Sequence, residues 1–473
     1  MALFTSKKDT RSTLERGDFT QGNILKHLIR FSLPILGASV FTQLYNVVDS
    51  ITVGQYVGST ALAAVGASAA INMVCHSLLA GIGQGSGILI SQNVGSKRME
   101  EVHKNVRTSF WFALFFGILM MGLGLVIANP VLRVLNTPAN IMDQATLYLR
   151  IVFLGLLGQM FNAIGGIAIR AFGDSRYPML VQIISAITNI VLDLIFVIAL
   201  NWGVAGVAWA TAIAQYLSAF LVYRHIVKVY KIKLIEKGTK LLDSTSIRII
   251  VRLGIPLALT SLVTSAGTLI IQRYGNTFGS DFVAANTVIT RVDTFALMPI
   301  MAISQAITTF VGQNIGANRL DRVKEGVRIG TLLVLSFTIF AGLVMVFFGK
   351  YFVILFNREE AIIALGSAGL AIMAFSYWST GIQQSYDAML RGAGDVNIPM
   401  IITIVGMAIR IPLTYFLAIR TNNFKGMFYA VVIANVISAA VLLLYYKFGN
   451  WHEKGIAKRQ ETAEKRKRVI EGK

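Results

Sequence analysis

Apolar runs of about 20 residues, the length a helix needs to cross a hydrocarbon core, recur along almost the whole chain, separated by short polar segments. The windows predict twelve helices, over 24–53, 60–90, 106–128, 144–170, 177–200, 204–226, 249–273, 281–310, 327–348, 361–390, 397–419 and 426–448. The pattern defines an all-α polytopic membrane protein of twelve transmembrane helices, with no stretch left over for a soluble domain.

The pattern also repeats. QNVGSKRMEEVHKNVR from Gln92 matches QNIGANRLDRVKEGVR from Gln313, an offset of 221 residues. IRAFGDSRYPM from Ile169 matches LRGAGDVNIPM from Leu390, and Pro34 and Pro256 stand near the start of the first helix of each copy. The chain therefore reads as a tail (1–23), a six-helix lobe (24–226), a linker (227–248), a second six-helix lobe (249–450) and a basic tail (451–473). An even number of spans per copy gives both the same orientation, related by a pseudo-twofold axis along the membrane normal.

Composition agrees: 55% of the 473 residues are apolar and 14% charged. The 43 Lys plus Arg against 23 Asp plus Glu give +20. In a soluble chain that excess would suggest nucleic acid, but here it sorts by loop. Lys7, Lys8, Arg11, Arg16, Lys97, Arg98, Lys104, Arg107, Arg176, Lys228, Lys231, Lys233, Lys237, Lys240, Arg319, Arg322, Lys324 and the run 465–468 fall on one side. The other side has little beyond Arg133, Arg273, Lys350, Arg358, Arg420 and Lys425. The positive-inside rule then puts both termini in the cytoplasm. The first apolar stretch is of spanning length and reads as an uncleaved signal. The single cysteine, Cys75, excludes an intramolecular disulfide.

Charge at mid-bilayer costs about 2.5–3.5 kcal/mol or more, so ionisable residues inside spans mark function. Asp49 lies late in the first helix; Asn189 and Asp193 share one face of the fifth; Thr211 lies two turns into the sixth. If these helices adjoin, two carboxylates, an amide and a hydroxyl converge on one buried spot. Such a spot has two stable states, a proton on one carboxylate or a monovalent cation among the oxygens. Pro34 can bend the first helix and move Asp49 against the other two. The second lobe is no copy here: Ile270 and Ile271 stand where Asp49 would, while Arg291, Asp293, Asp387 and Arg410 form a possible charge cluster of their own. Because Arg291 and Asp293 do not share a helix face, Arg291 is expected to pair with Asp387. His76 reads as a hydrogen-bonded packing residue. Gly95 and Gly316 are expected to end helices in the left-handed conformation. Asp174 and Asp395 are expected to cap the helices that follow, or to join Arg170 and Arg391 in a cytoplasmic gate.

Two parallel six-helix halves, Pro34 before Asp49, NxxxD at Asn189 to Asp193 and RxxGD at Arg170 and Arg391 resemble the multidrug and toxin extrusion (MATE) family over residues 20–450. The order and repetition of these motifs carry the likeness. The resemblance implies a cation site on Asp49, Asn189, Asp193 and Thr211. It also implies export of small organic cations by proton- or sodium-coupled antiport with alternating access, without a cofactor or nucleic acid, as a monomer in the bilayer of a bacterial inner membrane. One branch of the family also carries acids on the seventh and tenth helices. Here the seventh has none in its core and Asp387 stands displaced, which favours coupling through the first lobe. The rival within transport is a lipid-linked oligosaccharide flippase of the same superfamily, whose cavity is richer in cations. A membrane-embedded enzyme would need a motif such as HExxH, and none is present.

Overall fold

The computed structural model describes residues 17–236 and 238–456. The basic residues Lys7, Lys8, Arg11, Arg16 and Lys237, the run 465–468 and most of both tails lie outside the described residues. In chain order the helices are α1 (Ile24–Thr52), α2 (Ser59–Gly95), α3 (Met99–Val134), α4 (Ala139–Ala171), α5 (Arg176–Asp193), α6 (Gly203–Val229), α7 (Ser244–Gly275), α8 (Ser280–Gly316), α9 (Leu320–Phe356), α10 (Glu360–Ala374), α11 (Tyr377–Ala393), α12 (Asn397–Thr414) and α13 (Lys425–Phe448). Among the described residues eleven spans are long and apolar enough to cross a membrane, and α10 with α11, bent by 50°, makes up to twelve if the pair is counted as one span.

That bend corrects the single helix expected over 361–390. Its cause is local. The Ser376 hydroxyl donates to the Met373 carbonyl at 2.8 Å, and the Ser379 hydroxyl donates to the Ser376 carbonyl at 2.7 Å. Serine hydroxyls that compete for backbone carbonyls loosen the helical ladder at that point. A second correction concerns Gly95 and Gly316, which are the last helical residues of α2 and α8. The left-handed positions are Lys97 (φ 57°) and Asn318 (φ 56°), two residues further on. The seventh helix begins earlier than its apolar run, because Asp243 Oδ2 accepts from the Ser246 backbone N–H at 2.8 Å and from its hydroxyl at 2.7 Å. A carboxylate there satisfies donors that the first helical turn leaves orphaned.

Packing divides the chain into two compact units, one holding Leu33–Ala258, the other Phe19–Ser32 and the chain from Leu259 onward. Both boundaries fall beside the helix prolines, Pro34 in α1 and Pro256 in α7. The lobes expected over 24–226 and 249–450 thus exchange their first helical segments at the points where proline removes a backbone donor. In the second unit the Phe19 N–H donates to Gln313 Oε1 at 2.9 Å, and Arg322 donates to the carbonyls of Phe19 and Gly22. In the first unit, Gly81 and Gly85 of α2 meet Gly254 of α7 backbone to backbone. A Cβ on Gly81 would stand 2.5 Å from the Gly254 carbonyl oxygen, and one on Gly85 2.7 Å from that of Ile250. Small residues four apart allow this approach within a membrane. Because the obstructing atoms are backbone, Gly81→Ala is expected to cost about 1–3 kcal/mol, the usual range for overpacking, read as a lowered melting temperature of the purified protein.

Candidate functional site

In the first unit α5 packs beside α6, which sets Asn189 and Asp193 against Thr211: Asn189 Nδ2 donates to Thr211 Oγ1 at 3.3 Å. Asp193 is 0% exposed and Asn189 2%. The Asn189 carbonyl, Asp49 Oδ1 and both Asp193 oxygens are buried without a hydrogen-bond partner. Asp49 and Asp193 nevertheless lie within hydrogen-bonding range of each other. Two carboxylates have no proton to share, so the bond exists only when one of them carries one. The structure therefore brings together all four residues that the sequence singled out here.

It adds to them Tyr45 and Tyr148, both within electrostatic range of Asp49 and Asp193. A small cavity of about 10 Å³, room for about one water, adjoins the cluster, lined by Tyr45, Gln182, Ser185, Asn189, Thr211 and Gln215 among others. Tyr148 carried no signal in the sequence, being one aromatic residue among many on a spanning helix. Nor did a backbone feature: each acid is followed by a wide π-turn, Val53–Val57 after Asp49 and Leu194–Ala199 directly after Asp193. Such turns recur at functional sites because they leave the helical ladder locally unsatisfied.

The second unit differs in charge at the matching place. Its π-turn, Tyr415–Ile419, starts at the same repeat position as that of α5, yet Arg410 and Thr414 replace Asn189 and Asp193. Arg410 lies within electrostatic range of Asp293. Asp293 Oδ1 in turn accepts the Tyr377 hydroxyl at 2.7 Å, which ties α8 to the start of α11, just past the bend. The expected pairing of Arg291 with Asp387 is not formed. Asp387 pairs with Arg391 one turn along α11, and Arg291 is exposed with no ion pair among the described residues. The i, i+4 partner on the same helix wins because it needs no second helix to bring it in.

The two RxxGD motifs serve different partners. Asp174 Oδ1 accepts the N–H groups of Arg176 and Tyr177 at 2.9 and 3.2 Å, capping α5 as expected, while Oδ2 lies 3.8 Å from His225. Burial pushes the Asp174 carboxyl up, against the pull of those two amides. Asp395 accepts the Tyr445 hydroxyl at 2.6 Å and gives no cap to α12. Arg170 forms no ion pair with Asp174, and its Nε is buried and unpartnered. His76 is hydrogen-bonded to Gln159 at 2.9 Å.

Repeated helical lobes, one of them holding a buried and unpaired acid cluster, define a multi-pass membrane transporter. The MatE family model matches residues 34–195 and 256–416, once in each repeat, and the chain belongs to that family of multidrug efflux transporters. It is 28% identical over 447 residues to the probable multidrug resistance protein YpnP of Bacillus subtilis, covering 92% of this chain and 97% of that one. It is 26% identical to the probable multidrug resistance protein NorM of Thermotoga maritima, covering 93% and 96%. Among solved structures, an outward-facing multidrug resistance MATE family transporter of the MOP superfamily superposes with a TM-score of 0.83 at 23% identity, over 91% of this chain and 96% of that one. A MATE structure in the bent conformation gives 0.84 at 23% identity, over 98% and 100%.

Proposed function

We propose that the protein exports small organic cations across a bacterial plasma membrane, driven by a proton or sodium ion that exchanges at Asp49 and Asp193. The observation that supports this most is the pair of facing carboxylates, buried without a basic partner among the described residues. Water cannot offset that charge inside the protein, so the resting pair must hold a proton or a cation. A cationic substrate that draws on the same charge displaces the ion, and the ion displaces the substrate on return. Asn189 and Thr211 supply neutral oxygens suited to orient the acid or complete a cation's shell. Pro34, at the packing boundary on α1, is the point about which Asp49 would move. The oligosaccharide flippase reading draws on unpaired cations, and Arg410, the strongest of them, has Asp293 as counter-charge.

Everted vesicles energised with a pH gradient or a sodium gradient, imposed separately, test this proposal. One gradient is expected to drive accumulation of a fluorescent cation; accumulation driven by neither overturns it. The orientation rests on the loop asymmetry of Lys and Arg. In a Cys75→Ala background, a cysteine placed at Lys240 is expected to escape an impermeant thiol reagent in intact cells and to react once the membrane is opened. Labelling from outside overturns the cytoplasmic assignment.

A further inference from the structure

The repeat supplies an internal control at a place the transport reading does not use. Arg107, in α3, donates to Glu236 Oε2 at 2.8 Å, and Trp111 one turn later donates its indole N–H to the Leu234 carbonyl at 2.9 Å. In the first unit, then, the segment after α6 lays a carboxylate against the basic side chain of the third helix. The repeat equivalent of Arg107 is Arg328 in α9. Its counterpart for Glu236 is Ala457, which has no charge to offer and lies outside the described residues. Among the described residues neither Arg328 nor Lys324 has an ion pair. Beside these two side chains is a cleft of about 510 Å³ lined by Lys324, Glu325, Arg328, Thr331, Leu332, Tyr386 and Tyr446.

Lys324, Arg328 and Thr331 stand at i, i+4 and i+7, on one face of α9. The Thr331 hydroxyl is buried with no hydrogen-bond partner. Tyr386 and Tyr446 meet edge to face across the cleft, 5.0 Å between centroids, and Tyr446 stacks on Trp451 at 5.6 Å. No charged residue lies between Arg328 and Lys350, so Arg328 marks the end of the hydrocarbon-spanning part of α9, with Lys324 one turn further out. Basic side chains and aromatic rings at that level are the chemistry of the lipid headgroup zone. Leu332, 57% exposed, continues the cleft toward acyl chains.

We propose that this cleft binds a phosphate anion, presented as the headgroup of an anionic phospholipid, with Arg328 and Lys324 taking the place that Arg107 fills toward Glu236. Arg328 offers a fork that matches two phosphate oxygens, Lys324 a point charge, and Thr331 a hydroxyl donor. The chain's own tail is a poorer occupant. Beyond residue 456 basic residues outnumber acidic ones, so by charge that segment matches Lys324 and Arg328 less well than a phosphate does.

The test is the melting temperature of the purified full-length chain in a neutral detergent, titrated separately with phosphatidylglycerol, phosphatidylcholine and inorganic phosphate. Phosphatidylglycerol is expected to raise it saturably and phosphatidylcholine not to. Lys324→Gln and Arg328→Gln are each expected to weaken half-saturation by about tenfold, the loss of one charge-assisted contact. Arg107→Gln is expected to leave half-saturation unchanged. Lys324 is exposed, so its substitution keeps the test open even if Arg328→Gln fails to fold. Inorganic phosphate is expected to act through the same residues at much higher concentration; equal potency would make free phosphate the ligand and overturn the lipid reading. Half-saturation by phosphatidylglycerol that ignores both substitutions overturns the site. A shift seen only in a Glu461→Gln/Glu464→Gln chain would make the tail the occupant and overturn it as well.

Discussion

Export is expected to fall by roughly a hundredfold or more in Asp193→Asn, at normal membrane levels of protein, since an amide can neither take up the coupling proton nor offer a negative charge to the coupling cation. The amide keeps the shape of the side chain and the packing of α5 against α6, so insertion and folding are retained. Asp49→Asn is expected to behave alike. The distinguishing feature is that the charge goes while the volume stays; Asn189, one turn away, already shows that an amide is accommodated on this face. Drug resistance of cells at equal expression reads the outcome, and full resistance in either variant would remove both acids from the coupling site.

The double variant Asp49→Asn/Asp193→Asn is expected to transport little worse than either single one. Two independent sites would multiply their losses, to about ten-thousandfold; residues acting as a unit do not. The structure gives the reason. The two carboxyl groups stand within hydrogen-bonding range, so the first proton or cation serves both, and their ionisation belongs to the pair. Vesicle transport by the two single variants and the double variant separates the cases, and multiplicative losses would show two separate sites.

The sequence carried much of this site because charge inside an apolar run is rare. Asp49, Asn189, Asp193 and Thr211 stood out against their spans, and the i, i+4 spacing fixed a shared face before any neighbour was known. The helix order was legible for a similar reason, since a bilayer imposes span length on composition. What stayed hidden depends on atoms far apart in the chain. Tyr148 gains its place from packing. The Asp293–Tyr377 contact and the pairing of Asp387 with Arg391, in place of Arg291, needed helix rotations that apolar windows do not specify. The break between α10 and α11 turned on two serines, whose hydroxyls bond the backbone only in one local geometry. The exchange of helical segments at Pro34 and Pro256 was half visible: the prolines were, and the packing that divides each helix was not.

The central claim is that substrate and coupling ion draw on one negative charge. The direct measurement is the equilibrium affinity of the purified protein for a fluorescent organic cation, followed across pH and across sodium concentration, in the wild type and in Asp193→Asn. Protons or sodium neutralise the pair, so wild-type affinity is expected to fall as one of them rises, by up to about tenfold per tenfold rise for one-for-one competition, and the variant is expected to lose that dependence. Affinity that ignores both pH and sodium in the wild type, or a dependence that survives unchanged in Asp193→Asn, would contradict the account.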